Sequence, residues 1–413
     1  MTEHFVIVGA GQAGVQAAEA LRTGGFTGDI SLIGDEAHGP YHRPPLSKAW
    51  LAGEIDAAQL TMRAPELLAK KGIVLRTGAP VLAIDRAAKT VTLADGSTLA
   101  YTGLVLATGA TPRRLLLPGG DAPNVLALRN RDDAQAISER LAICAERALP
   151  VVVIGGGFIG LEVAATARKK GHAVTVLEAA PRLLGRVLAP LLSDWFAALH
   201  RNHGVELVLD AQVHAIQTEG GAAVAVRLAD GRLVPAGLVV IGVGVAANDQ
   251  LARAAGLECD RGIVVDACAR TADPAIVAAG DCTARRLDDG TLVRLESVNN
   301  ATEQGRSAAA ALLGQERPFA TTPWFWSDQY DKKLQMAGLS QGADQWAVRG
   351  DMGTGAPFSV WHFRGDRLLA VDAVNAAKDH LLSRKLLDTG VSPTPQQAAD
   401  LSLDLGNLLA PRA

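Results

Sequence analysis

An α/β chain of several domains is predicted by three observations: a strand, glycine turn and helix that occur twice, an apolar strand closed by small residues after each copy, and a tail of α+β texture. At about 150 residues per domain, 413 residues accommodate two or three domains. Apolar residues make up 48% and charged residues 20%, a balance that excludes disorder and fibrous repeats. Aromatic residues are only 4% while 43 glycines are spread along the chain, which suits βα units with tight turns better than a β-sandwich. Forty basic residues against 43 acidic ones give a formal charge of −3, so no overall basic field exists to hold nucleic acid or an anionic membrane.

The first copy begins with Phe5-Val6-Ile7-Val8, a β-rich run that ends at Gly9. Gly9-Ala10-Gly11-Gln12-Ala13-Gly14 then leads into an alanine-rich helical stretch over 15–21. A second strand, Ile30-Ser31-Leu32-Ile33, delivers Asp35, 21 residues beyond Gly14, with Glu36 as its competitor. The same order returns 146 residues later: Val151-Val152-Val153-Ile154, then Gly155-Gly156-Gly157-Phe158-Ile159-Gly160, a helix over 161–169, and Val174-Thr175-Val176-Leu177 before Glu178. Between the copies, Leu104-Val105-Leu106 closes on Ala107-Thr108-Gly109, and after the second, Leu238-Val239-Val240-Ile241 closes on Gly242-Val243-Gly244. Ile276-Val277-Ala278-Ala279-Gly280-Asp281 is a further short strand ending in an aspartate, and 297–313 reads as a helix that returns the chain to the first unit. From about Pro323 the texture changes. Phe358-Ser359-Val360-Trp361-His362-Phe363 alternates like a strand buried on one face, Gly365-Asp366 turns it into 368–371, a helix closes 377–387, and 393–397 reads as a polar linker. The expected domains are 1–112 with 245–320, 113–244, and 321–413.

A pyrophosphate is held by helix amides if the backbone comes close, and residues without a Cβ allow that approach. Each glycine turn follows an apolar strand, opens a helix and is followed at the expected distance by an acid able to bond a ribose hydroxyl. A duplicated fold with one inactive copy is the other reading, but neither copy lacks a glycine or its acid. Two working sites point to FAD and a nicotinamide dinucleotide. Glu178 accepts from a 2′-hydroxyl and repels a 2′-phosphate, which favours NAD over NADP, although Arg182 follows closely enough to serve a phosphate.

With these units, the Ala107-Thr108-Gly109 turn and Gly280-Asp281, the chain resembles two-dinucleotide flavoprotein oxidoreductases of the glutathione reductase type. Pro40-Tyr41-His42-Arg43-Pro44-Pro45-Leu46-Ser47-Lys48, Leu295-Glu296-Ser297-Val298-Asn299-Asn300 and Pro323-Trp324-Phe325-Trp326-Ser327-Asp328-Gln329 narrow the likeness to NADH-dependent ferredoxin reductases, which serve Rieske-type aromatic oxygenases and bacterial haem monooxygenases. The resemblance implies two Rossmann-like dinucleotide-binding domains plus a C-terminal α+β domain. It implies noncovalent FAD on Gly9, Gly11, Gly14 and Asp35, with Arg43, Lys48, the Thr108-Gly109 turn, Asp281, Val298 and Trp324 also at the cofactor. NAD(H) falls to Gly155, Gly157, Gly160 and Glu178, with Gly244 and Glu296. Lys48 near flavin N5 pairs with Glu162, a cation for the anionic reduced ring with a carboxylate to offset its burial.

The resemblance also implies the reaction: hydride passes from NADH to the flavin, and two single-electron transfers reach an acidic two-iron ferredoxin. Arg63 and Arg306 are the expected basic docking residues, and Trp326 the apolar anchor. Glutathione reductase relatives carry a cysteine pair after the first unit, whereas 35–60 here contains none, so electrons leave without a sulfur relay. Cys144, Cys259, Cys268 and Cys282 show neither disulfide nor metal spacing, and a reducing cytoplasm is the expected compartment. The alternatives are an NADH oxidase, a rubredoxin reductase, or a redox-sensing flavoprotein like apoptosis-inducing factor.

Overall fold

Short β-branched runs alternate with alanine-rich stretches through most of the chain. The computed structural model, which describes residues 3–287, 289–353 and 355–409, gathers them into two units. Residues 1 and 2 of the expected first domain, and 288, 354 and 410–413, lie outside the described residues. In chain order the elements used below begin with β1 (His4–Val8), α1 (Gln12–Thr23), β2 (Asp29–Ile33), β3 (Ile73–Arg76), β4 (Gly103–Leu106), β5 (Val125–Ala127) and α2 (Arg131–Glu146). They continue with β6 (Val151–Ile154), α3 (Phe158–Lys169), β7 (Val174–Leu177), α4 (Pro190–Asn202), β8 (Val205–Val208), β9 (Leu238–Ile241), β10 (Ile276–Ala278) and α5 (Val298–Leu312). The tail holds β11 (Trp324–Gln329), β12 (Lys332–Gly338), β13 (Gln345–Arg349), β14 (Phe358–Arg364), β15 (Arg367–Val374) and α6 (Ala377–Thr389).

The first unit comprises Met1–His42, Asp56–Thr111 and Val245–Ala320. Its parallel sheet has the order β10-β4-β1-β2-β3. Val8 is in register with both Ile33 and Leu106, and Leu106 with Ala278, so the strands finish together. Gly9, Gly34, the 107–109 turn and the 279–281 turn therefore leave one edge of the sheet, the edge at which doubly wound folds bind ligands. The central strands are apolar on both faces because both are covered: Ile7, Leu32 and Val105 are buried on one side with Leu21 of α1, and Val6, Ile33 and Leu104 on the other. Helices α1 and α5 approach so closely that a Cβ on Gly305 would stand 2.6 Å from the Ala13 carbonyl oxygen.

The second unit comprises Arg43–Ile55, Pro112–Gly244 and Thr321–Ala413. It holds a parallel sheet in the order β8-β7-β6-β9-β5 and an antiparallel sheet in the order β11-β12-β15-β14-β13. Residues 43–55, expected with the first segment, pack here because their 3-10 turn and short helix lie against α2 and α3, where Thr166 Oγ1 donates to the Ser47 carbonyl at 2.9 Å. The tail differs from expectation twice. Strand β14 is buried on both faces, since its polar side chains find partners inside: Ser359 donates to Asp379 at 2.6 Å and His362 meets Asp372 at 2.8 Å. The expected linker forms a helix, Pro395–Ala399, because Thr394 and Gln397 make a reciprocal capping box with proline at the first turn.

Candidate active site

The first cradle is built by the β1 turn. Gly9 has φ +111°, and a Cβ there would run into the Ala107 carbonyl; one on Gly14 would run into the carbonyl of Gly9. Nothing lies within 4 Å of the position a Gly11 Cβ would take, so the middle glycine faces open space. Gly11 is the N-cap of α1, yet no side chain caps that helix and its first turn holds no acid. Some other helices are capped by side chains, as α2 is by Asn130 and Asp133. Bare amides at this end therefore suit a pyrophosphate, which supplies both charge and acceptors.

Around the same sheet edge stand other expected residues. Thr108 Oγ1 donates to the Asn248 carbonyl at 2.6 Å and Asn248 Nδ2 to the Thr108 carbonyl at 2.9 Å, which fixes the turn that includes Gly109. Gln304 Oε1 accepts from Gly280 N at 2.8 Å and from Asn300 Nδ2 at 3.1 Å, tying α5 to the turn that carries Asp281. Val298 begins α5, whose N-cap Ser297 accepts from Asn300 N. Asn299 Oδ1 and Arg294 Nε are buried without hydrogen-bond partners, polar capacity that a ligand with donors and acceptors fits. Asp35 is exposed just past β2, while Glu36 accepts from the Tyr41 hydroxyl. Glu296 pairs with Arg294 at 3.0 Å.

The second cradle repeats the first. Gly155 again has φ +111°, a Cβ on Gly160 would run into the Gly155 carbonyl, and Gly157 caps α3 with no side-chain bond and no acid in the first turn. Glu178 reaches back into the turn: Oε2 accepts from Gly156 N at 2.6 Å and Oε1 from Ala180 N at 2.8 Å. The carboxylate is thus fixed against the glycine turn. Arg182 is committed elsewhere, donating to the carbonyls of Leu188 and Gly185 at 2.8 Å each. Gly244 has φ +95° and accepts from Arg113 N at 2.9 Å.

The same unit brings Lys48 and Glu162 together, with Nζ 2.6 Å from Oε2. Glu162 is 4% exposed and Lys48 18%, so this pair is far from a solvated surface contact. Ser47 Oγ donates to Oε2 at 2.5 Å and Ser327 Oγ to Oε1 at 2.6 Å, giving a buried carboxylate three donors in all. Arg43 donates to the Arg129 carbonyl at 2.9 Å. Trp324 lies 5.5 Å from Trp326 between ring centres and under the Arg384 guanidinium, so both tryptophans belong to one aromatic cluster. The serine donors went unread in the sequence because they lie 115 and 165 residues from Glu162, beyond any periodic signal.

Arg63 and Arg306 each share a carboxylate with a second cation in the first unit. Glu19 takes Arg63 at 2.9 Å and Lys71 at 2.6 Å; Glu303 takes Arg306 and Arg317 at 2.8 Å each. Burial alone would raise the Glu19 carboxyl, but the bonds and charges of Arg63 and Lys71 outweigh it and hold it below the usual value. Each cluster keeps one uncompensated positive charge. Cys282, beside Asp281, is fully buried, and burial pushes its thiol up despite a bond to Thr108. Among the described residues no group of His, Cys, Asp and Glu is arranged to hold a metal ion, and no helix is long and apolar enough to cross a membrane.

Comparison with known proteins agrees with this construction. Residues 3–305 match the family described as pyridine nucleotide-disulphide oxidoreductase, and 324–409 match the reductase C-terminal domain. Rhodocoxin reductase of Rhodococcus erythropolis is 47% identical over 402 residues, 97% of this chain and 93% of its own. Putidaredoxin reductase of Pseudomonas putida is 44% identical, with 99% and 97% covered. The ferredoxin reductase for the CYP199A2 system from Rhodopseudomonas palustris superposes with a TM-score of 0.94 at 43% identity, covering 99% of this chain and all of that one. The covalent putidaredoxin reductase–putidaredoxin complex superposes at 0.93 and 42%, with 98% of each chain covered. Two glycine cradles on one chain, followed by an antiparallel C-terminal sheet, are thus the family's own plan, and the chain belongs to the pyridine nucleotide-disulphide oxidoreductases that carry a reductase C-terminal domain.

Proposed function

We propose that the protein is an NADH:ferredoxin oxidoreductase that passes electrons from NADH through bound FAD to an acidic two-iron ferredoxin feeding an oxygenase. One observation carries the choice of acceptor: 35–60 contains no cysteine and the thiol beside the first cradle, Cys282, is fully buried, so neither place offers a thiolate to relay electrons. The names of relatives that match it over nearly their whole length support the same choice.

In this reading Gly9, Gly11 and Gly14 hold the FAD pyrophosphate, and Asp35 takes the ribose. The Thr108-Gly109 turn, Asp281 and Val298 line the cofactor, with Arg43 and Trp324 from the other segments. Gly155, Gly157 and Gly160 hold NADH, Glu178 selects the 2′-hydroxyl, and Gly244 and Glu296 complete that site. When bound, FAD supplies the conversion of a two-electron donor into single-electron steps. Lys48 contributes a positive charge to the reduced ring, and Glu162 with its serine donors keeps that ammonium oriented. Arg63 and Arg306, each with its companion cation, attract the acidic partner, and Trp326 provides an apolar contact. The four unpaired thiols agree with a cytoplasmic setting.

Anaerobic stopped-flow mixing tests the proposal. NADH should bleach the flavin, and a two-iron ferredoxin should then restore its colour. A preparation that binds no flavin, or a reduced flavin that oxygen reoxidises faster than any ferredoxin, would overturn it. Replacing Arg63 and Arg306 by alanine should slow ferredoxin reduction relative to ferricyanide reduction and flatten its salt dependence.

A further inference from the structure

The donors around Glu162 continue inward. Gln329 Nε2 lies 3.1 Å from Ser327 Oγ, Gln329 Oε1 lies 2.8 Å from His200 Nε2, and His200 Nδ1 lies 3.1 Å from the Tyr330 hydroxyl. Glu162, Ser327, Gln329 and His200 are each at most 4% exposed, so water does not complete these bonds. The orientation of every link follows from the carboxylate. Ser327 has one hydroxyl proton, and Glu162 Oε1 takes it, so Gln329 must offer its NH2 group to Ser327 Oγ. The amide oxygen of Gln329 then faces His200, which makes Nε2 the protonated nitrogen and Nδ1 the acceptor of the Tyr330 O–H. A neutral ring is consistent with the burial that pulls His200 down to about 4.

We infer that His200 is a positioning residue for the Lys48–Glu162 pair: its Nε2–H sets Gln329, Gln329 sets Ser327, and Ser327 presents its hydroxyl proton to Glu162, leaving the carboxylate directed at Lys48. All four donors point the same way, from Tyr330 on the hairpin toward Glu162, and aligned bonds of this kind polarise one another. Tyr330 is fixed at the outer end by φ +58° in the turn and by stacking on His203 with 3.7 Å between ring centres. The motif that ends at Gln329 thus has two members, Ser327 and Gln329, whose side chains serve this alignment. The link from the pair to the flavin rests on the proposed function above; the alignment itself does not.

Infrared spectra of the full-length protein carrying isotope-labelled glutamate test it, with the Glu162 carboxylate band isolated by subtracting the spectrum of Glu162→Gln. His200→Leu should move that band, Ser327→Ala should move it at least as far, and His200→Gln, which keeps an N–H toward Gln329, should return it to the parent position. A band unmoved by His200→Leu, or moved equally by leucine and glutamine, overturns the inference. Should His200→Leu fail to fold, Gln329→Met removes the adjacent link and is read the same way. The flavin midpoint potential separates the two readings. If Lys48→Met leaves it unchanged, the assignment of the pair to the flavin falls, while the band still decides the role of His200.

Discussion

Removing Glu162 while keeping its shape isolates the worth of a buried charge. In Glu162→Gln, the Lys48 ammonium loses a partner at 2.6 Å in a site where the carboxylate was 4% exposed and the ammonium 18%. Breaking a fully buried pair costs about 3–5 kcal/mol, and the partial exposure of Lys48 places this one near the lower end, about 3 kcal/mol. Lys48→Met leaves a carboxylate that still has two hydroxyl donors, which points to about 2 kcal/mol. The double variant buries no unmatched charge, so it should lose only about 2 kcal/mol in total where simple addition gives about 5, a coupling of about 3 kcal/mol. Equilibrium urea unfolding read by tryptophan fluorescence measures this cleanly. All six tryptophans lie in the unit that contains the pair, so the signal follows that unit. Losses that simply add would refute the reasoning.

Gly160→Ala forces a Cβ against the Gly155 carbonyl, so NAD+ affinity measured by calorimetry should fall by about tenfold or more while flavin content is retained. Glu178→Gln removes the charge opposed to a 2′-phosphate, and the kcat/KM ratio of NADH to NADPH should drop by about an order of magnitude in steady-state assays. His200 takes its proton near pH 6.5 when unfolded but only near about 4 when folded, so the unfolded chain binds more protons in that window and stability is lost on acidification through it. The stability advantage of the parent over His200→Gln should therefore shrink by about 1.2 kcal/mol between neutral pH and about pH 5.5, read as urea midpoints.

The sheet edges and cradles were legible in the sequence because each depends on neighbours in the chain. An apolar run, a glycine that must take positive φ and a following helix lie within about twelve residues, as at Gly9 and Gly155. The Lys48–Glu162 pair was reached only through family resemblance, since 114 residues separate the two. The partner of Arg63 escaped for the same reason, Glu19 being 44 residues away, whereas Glu303 stands only three residues from Arg306 and what the sequence hid there is the second cation, Arg317, on the same carboxylate. The burial of both faces of β14 was missed because His362 and Ser359 read as solvent-facing until Asp372 and Asp379 arrive to meet them. The capping box at Thr394 and Gln397, by contrast, stands in the sequence and outweighed the polar look of that stretch.

The interleaving of the two units along the polypeptide governs how the protein is made. Each unit draws on three separated stretches, so the chain passes from one to the other five times. Ser47 leaves the ribosome 280 residues before Ser327, a wait of roughly 14–56 s at about 5–20 residues per second. Until Ser327 emerges the Lys48–Glu162 pair lacks its full set of donors, and the first unit is complete only once Ala320 has been made. Nascent chains of this protein are therefore expected to be long-lived clients of chaperones, and an N-terminal fragment ending at any of the first four crossings lacks a complete unit.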